Sequence, residues 1–147
     1  MNAALTRFFA LPLPDQLATF EAVAALFAAR VRLTLVPQSK SSQWLRPKLG
    51  AAPVETKEQP ADACATIVRI RSAVQRASRR VPGASCLVQA IAGHRMLGSR
   101  GIQSRIRIGV EKTNDVFGAH AWLTVGDTTV LGGPDAAARF VELSRPQ

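Results

Sequence analysis

Apolar side chains recur along the first 36 residues at roughly 3.6-residue spacing, which is the rhythm of one face of an α-helix. The pattern begins after Pro12 and Pro14, Asp15 is placed to cap the helix, and Pro37 is placed to end it. We predict from this spacing a helix that packs in the protein core. The residues that carry the pattern are Leu17, Phe20, Val23, Ala24, Phe27 and Val31.

The same region holds the most apolar stretch of the chain, from Leu17 to Val36. Glu21, Arg30 and Arg32 interrupt it, so it is too polar for a clean membrane-spanning segment. A core helix is the favoured interpretation, and the basic flank leaves contact with a membrane surface open as an alternative.

Prolines, serines and charged residues punctuate residues 37–60, which we interpret as a linker. We therefore divide the chain into an N-terminal helical extension with a basic linker, residues 1–52, and a compact core, residues 53–147. The prolines are Pro37, Pro47, Pro53 and Pro60.

Two further helices are predicted at the start of the core. The first runs from Ala61 to Arg80, and the Pro82-Gly83 pair ends it. The second runs from Cys86 to Leu97, before two glycines. In the first helix we predict an inward apolar stripe and an outward run of arginines, the inward residues being Cys64, Ile67, Val68, Ile70, Val74 and Ala77.

Alternating apolar and polar residues then predict three strands, at 102–110, 119–125 and 128–131. Gly126-Asp127 is a favourable two-residue hairpin turn between the last two strands. The order of helix, helix and three strands predicts an α+β fold, with an antiparallel sheet packed against the helix that begins at Cys86.

Composition narrows the function classes. The chain has 147 residues, the size of one domain, and a net charge of +9, which favours anionic partners. It has no Tyr, six Phe and two Trp, so an aromatic platform for nucleic-acid bases is poorly supplied. With no zinc-finger spacing or RNP-like motif either, we expect no nucleic-acid partner and no metal site.

The two cysteines, Cys64 and Cys86, are too few for a disulfide framework, and no secretory signal precedes them. We expect a reducing, cytoplasmic setting in which a thiol stays free for chemistry.

Cys86 opens its predicted helix directly after the Pro-Gly break. Unpaired N–H groups and the positive end of the helix dipole favour the thiolate there. His120 lies in a predicted strand between two alanines, where an imidazole can act as the base that accompanies such a thiol. The alternatives are a structural buried Cys and a core His with a backbone partner. Gln89, or the Cys86 N–H itself, is a candidate oxyanion donor, and His94 is interpreted as solvated or capping.

Four sequence blocks together resemble one family, the transglutaminase-like leader peptidases of lasso-peptide biosynthesis. The blocks begin with Cys-Leu-Val-Gln-Ala-Ile-Ala at Cys86 and Leu-Gly-Ser-Arg-Gly-Ile at Leu97. They continue with Arg-Ile-Gly-Val at Arg107 and Phe-Gly-Ala-His-Ala-Trp at Phe117. With the upstream helix and basic segment, the resemblance covers most of the chain.

The resemblance implies a transglutaminase-like or papain-like cysteine peptidase that removes the leader from a ribosomally made precursor. Cys86 matches the nucleophile and His120 the general base. The implied partners are the precursor, a separate leader-recognition protein and, as a further candidate, the lasso cyclase. A stand-alone peptidase without its own recognition domain is expected. No cofactor is evident, and ATP dependence would follow from the resemblance alone, because no Walker-type loop occurs.

The third member of the catalytic group departs from the family pattern. The usual Asp, about twelve residues past the His, is replaced by Gly132. The hairpin register puts His120 near Gly133 and leaves Asp127 roughly 16 Å away along the strand. Asp135 is a candidate if the chain bends, and a backbone carbonyl or a water is the alternative that would orient His120.

Two other functions use the same residues. A transglutaminase or acyltransferase would pass the Cys86 acyl group to an amine instead of water. A catalytically degenerate domain, marked by Gly132, would bind a peptide without cutting it.

Overall fold

The computed structural model describes residues 6, 8–35, 62–113 and 116–142 of the chain. Three long helices come first: α1 at Leu13–Leu35, α2 at Ala63–Ser78 and α3 at Cys86–Gly98. The helix boundaries lie within a few residues of those predicted. Asp15 is the exception, because α1 begins two residues before it and the carboxylate lies in the first turn, not at the cap.

Four strands of the described residues form one antiparallel sheet in the order β3-β2-β1-β4. They are β1 at Arg105–Thr113, β2 at Val116–Val125, β3 at Thr128–Leu131 and β4 at Val141–Glu142. A one-turn helix, α4 at Ala136–Arg139, precedes β4. Since α3 packs on β2, the predicted α+β architecture is confirmed; α4 and β4 were not predicted from the sequence.

The β2–β3 hairpin has the predicted turn. Val125 pairs with Thr128 across Gly126-Asp127, and Gly126 has φ +55°, a conformation that glycine adopts without strain. A bulge after Leu123 then shifts the register, so that Leu123 pairs with Leu131. The bulge bends the hairpin just before the segment that contains His120.

The helix α1 is confirmed, but its predicted inward face is wrong. The large apolar residues of the pattern point outward: Leu17 and Phe27 are each 60% exposed. Apart from Leu26, the buried face is made of small residues, because short side chains let α1 approach α2 and α3 closely. Its buried residues are Ala18, Thr19, Ala22, Ala25, Leu26 and Ala29.

The inward face of α2 is partly as predicted. Ile70, Val74 and Ala77 are buried, whereas Cys64 and Val68 are exposed. Ala73 is buried along with Ile70, Val74 and Ala77. This stripe is narrower than the predicted one and leaves Val68 facing solvent.

Two ion pairs hold α1 against the rest of the molecule. Asp15 Oδ1 accepts a hydrogen bond from Arg69 Nε at 3.0 Å, and Glu21 Oε2 accepts one from Arg100 Nη2 at 2.6 Å. The hydrogen bond from Arg100 lowers the pKa of the Glu21 carboxyl below its usual value of 4.5. Both carboxylates of α1 are therefore engaged.

The buried face of α1 belongs to the same apolar cluster as α2, α3 and the sheet. The predicted boundary between residues 52 and 53, the linker and Pro37 lie outside the described residues. Within the described ranges, no helix combines the length and the apolar character that crossing a membrane requires.

Candidate active site

Cys86 is the first residue of α3, as predicted. Ser85 precedes it in an extended conformation and caps the helix, its hydroxyl accepting from the Val88 N–H at 3.4 Å. Because the first N–H groups of an α-helix have no acceptor within the helix, the backbone beside Cys86 can receive a negatively charged oxygen.

The loop in front of Cys86 is fixed from two sides. Gln89 Nε2 donates to the Ala84 carbonyl at 2.9 Å, and the Arg30 guanidinium of α1 donates to the Pro82 carbonyl. The Gln89 amide, a candidate oxyanion donor from the sequence, is thus engaged with the loop. The backbone N–H groups of the first turn are the better placed donors.

Small residues on α3 bring the helix close to the sheet. Ala90 and Gly93, which share a helical stripe with Cys86, are both buried. A Cβ built on Gly93 would lie 2.6 Å from Leu131 Cδ1 and 2.9 Å from Leu123 Cδ2, closer than atoms can approach. Glycine at this position lets α3 rest directly on β2 and β3.

The C-terminal half of α3 contacts the residue that precedes β1. His94 Nδ1 and Ser104 Oγ are 2.9 Å apart, so His94 joins the helix to the residue before β1. Since the start of β1 pairs with the end of β2, the C-terminal half of α3 lies beside that end of the sheet.

His120 lies in β2 and is held by a backbone group. Its Nε2 is 2.6 Å from the Gly132 carbonyl oxygen. Because a carbonyl only accepts, the ring must donate from Nε2, and a neutral imidazole then keeps Nδ1 as an acceptor. The structure thus favours the backbone alternative for the group that orients His120.

Gly132, at the position where the sequence resemblance led us to expect Asp, is itself under a steric constraint. It has φ +102°, and a Cβ built there would lie 2.5 Å from Trp122 Cβ. Asp135 is exposed and stands at the N-cap of α4; no hydrogen bond among the described residues joins it to His120. Asp127 stays in the hairpin turn.

Two aromatic rings flank the imidazole. The Phe140 ring stacks on it with centroids 4.8 Å apart, and Trp122 lies 6.4 Å away. Trp122 is 1% exposed, and its Nε1 has no acceptor among the described residues. These rings fix the tilt of the His120 ring while its edge stays partly accessible to solvent.

Sequence reasoning missed Phe140, because its neighbourhood lacks a clear periodicity. A signal existed in Gly109, an isolated glycine within an alternating strand, which often marks a close approach. Gly109 pairs with His120, and a Cβ there would lie 2.8 Å from Phe140 Cβ and 2.9 Å from Trp122.

The structure brings His120 together with Gly132, Trp122 and Phe140. It records no hydrogen bond between the His120 ring and the Cys86 thiol, both of which are among the described residues. Cys86 is half-buried and Cys64 is exposed, and both thiols are free. Within the described ranges, no cluster of three His, Cys, Asp or Glu side chains is arranged to bind a metal ion.

Comparison with known proteins gives one match. The transglutaminase-like superfamily matches residues 24–145, a span that contains the second half of α1, the helices α2, α3 and α4, and the four strands of the sheet. No curated protein and no solved structure matches the chain.

Proposed function

The chain belongs to the transglutaminase-like superfamily, and from this premise we propose that it is a cysteine peptidase that removes a leader peptide, with Cys86 as nucleophile and His120 as general base. Members of the superfamily are generally cysteine-dependent enzymes. The cysteine at a capped helix start fits that chemistry, since nucleophilic thiols favour such positions.

The hydrogen bond from His120 Nε2 to the Gly132 carbonyl carries the proposal. It fixes one ring nitrogen as a donor and leaves the other to accept the thiol proton. Catalytic hydrogen bonds are often long without substrate and shorten in the complex. We therefore expect the Cys86–His120 hydrogen bond to form when a peptide occupies the site.

The reaction then runs as an acyl transfer. The thiol proton passes to His120 Nδ1, and the sulfur attacks the scissile carbonyl carbon. The N–H groups at the start of α3 stabilise the oxygen that becomes negative. The C–N bond breaks, the imidazolium protonates the leaving amine, and water attacks the thioester. The products are an acid and the restored thiol.

The substrate class is inferred from the four sequence blocks at Cys86, Leu97, Arg107 and Phe117, all of which fall on α3, β1, β2 or the loop between α3 and β1. Their resemblance to lasso-peptide leader peptidases points to a precursor peptide as substrate, presented by a separate recognition protein, with the cyclase as a further partner. Two free thiols suit a cytoplasmic site of action. The mechanism above requires no cofactor.

The test is cleavage of the precursor by the purified chain with its recognition protein, followed by mass spectrometry. We expect Cys86→Ala to abolish cleavage while circular dichroism stays unchanged, because the nucleophile alone is lost. Cys64→Ala is the matched control and should cleave normally. Asp135→Ala should also cleave, since the Gly132 carbonyl orients His120.

Cleavage retained in Cys86→Ala would refute the proposal. A labelled amine added to the reaction distinguishes the acceptor: label found in the peptide product would identify an acyltransferase and not a peptidase.

A further inference from the structure

One face of α1 is apolar and exposed along the whole helix. We call it the outer face of α1. Leu13 is 66%, Phe20 62% and Leu35 74% exposed. Its large side chains are Leu13, Leu17, Phe20, Val23, Phe27, Val31 and Leu35.

This exposure is unusual for a helix of 23 residues, which is about 34 Å long. A helix that is apolar on both sides is ordinarily covered on both sides, and a continuous exposed apolar patch marks a protein or membrane interface. The inner side of α1 is already covered by α2 and α3. Within the described part of the chain, the Phe8 ring packs edge-on against Phe20, with centroids 5.5 Å apart, and Phe20 still stays 62% exposed. The rest of the outer face stays largely exposed there.

We propose that the outer face of α1 binds the surface of an anionic membrane, with the helix lying parallel to the bilayer. Membrane binding by α1 does not depend on peptidase activity. It follows from the apolar character of the face and from the charges around it.

The charges around the face favour anionic lipid. Asp15 and Glu21, the acidic residues of α1, are both held in ion pairs with arginines. Arg32 lies in the last turn of the helix and is exposed. Arg30 is also exposed, although its guanidinium donates to the Pro82 carbonyl, and it keeps its positive charge beside the face. The whole chain carries a net charge of +9, which attracts anionic lipid. Because both carboxylates of α1 are paired with arginines, their repulsion of an anionic headgroup is reduced.

The composition of the face favours lipid over a second copy. Its large residues are Leu, Val and Phe only. Phe is common in protein interfaces too, but none of the three side chains offers the hydrogen bonds that protein interfaces regularly make. Two copies would also bring two chains of charge +9 together. Acyl chains accept such a face without matching its shape, as they do for helices that lie in the membrane interface.

The test is co-sedimentation of the full chain with vesicles. Neutral vesicles contain phosphatidylcholine alone, and anionic vesicles contain phosphatidylcholine with phosphatidylglycerol. We expect binding to the anionic vesicles that weakens as salt rises. The variant Leu13→Gln/Phe20→Gln/Phe27→Gln should lower the partition coefficient by roughly tenfold or more, because three exposed apolar side chains leave the lipid.

The matched control is Val141→Gln, which alters an exposed apolar residue on β4 and should bind like the wild type. Circular dichroism of each variant establishes that the helices persist. Equal binding of the triple variant, or equal binding to neutral and anionic vesicles, would overturn the proposal. So would a wild-type dimer that the triple variant dissociates in the absence of vesicle binding, because the occupant would then be a second copy.

Discussion

The imidazole of His120 is held by a backbone carbonyl at the position where the sequence resemblance led us to expect a carboxylate. A carboxylate beside a catalytic histidine accepts its second N–H and fixes the tautomer. Here the carbonyl of Gly132 accepts that N–H at 2.6 Å. It supplies the direction of a hydrogen bond without a negative charge. We therefore expect an oriented histidine whose imidazolium is less stabilised than one beside an aspartate.

Gly132 offers a test of this orientation. Gly132→Ala places a Cβ at 2.5 Å from Trp122 Cβ, so the backbone must shift and the carbonyl must leave His120. We expect the free energy of unfolding to fall by about 1–3 kcal/mol because of the clash, in addition to the strain of alanine at a positive φ. We also expect a lower rate of cleavage. Chemical denaturation and the cleavage assay measure the two effects.

Gly133→Ala is the matched control. Gly133 has φ +95°, close to that of Gly132, but a Cβ there meets nothing within 4 Å. Both variants bear a similar backbone strain, and only Gly132→Ala adds the clash. Equal losses in the two variants would show that the fit of Gly132 against Trp122 does not position the histidine.

For single residues, the secondary-structure position of a side chain could be predicted from the sequence better than its contacts. Cys86 was predicted at a helix start and His120 within a strand, and both positions are confirmed. The direction of the Gly132 carbonyl depends on the bulge after Leu123, and no residue type in the sequence indicates that bulge. Phe140 reaches His120 through a one-turn helix that carries too few residues to show a period.

Among the elements, α1 shows the limit of periodicity. The spacing of its large apolar residues correctly predicted a helix, but the spacing could not tell which apolar face is buried. The alanine-rich face is the buried one, because alanines allow a closer approach of α2 and α3 than phenylalanines would. A second apolar face remained, and it is the basis for the membrane proposal.

The close contact of α3 with the sheet predicts that a larger residue at position 93 destabilises the protein. Gly93→Ala forces a Cβ against Leu131 and Leu123, whose ends can move only partly in a packed core. We expect it to lower the free energy of unfolding by about 1–3 kcal/mol, less any gain in helix propensity. Urea denaturation measures the change.

Gly98, the last residue of α3, provides the comparison. A Cβ at Gly98 would meet nothing within 4 Å, so Gly98→Ala gains helix propensity without a clash. We expect a stability equal to the wild type or higher by up to about 1 kcal/mol. A Gly93→Ala variant as stable as Gly98→Ala would contradict the close seating of α3 on the sheet.

The whole molecule joins an N-terminal helix, two further helices and a small sheet through one apolar cluster. The superfamily match from residue 24 to residue 145 includes the second half of α1. The α+β architecture could be predicted because the chain changes from helical spacing to alternation once. The sequence could not predict which face of α1 packs against the rest of the molecule.

For the molecule as a whole, we propose that the fold activates the Cys86 thiol and leaves the Cys64 thiol with ordinary reactivity. The chain contains its own control, because Cys64 is exposed and Cys86 is half-buried. Accessibility alone would make Cys64 the faster to react. Activation by the helix start and by His120 would reverse that order.

The most direct measurement is the alkylation rate of each cysteine with iodoacetamide at neutral pH, followed by peptide mass spectrometry in the wild type and in His120→Ala. We predict that Cys86 reacts roughly tenfold or more faster than Cys64, and that His120→Ala lowers the Cys86 rate alone. A Cys86 rate below that of Cys64, or one that His120→Ala leaves unchanged, would contradict the assignment of these two residues as a catalytic pair.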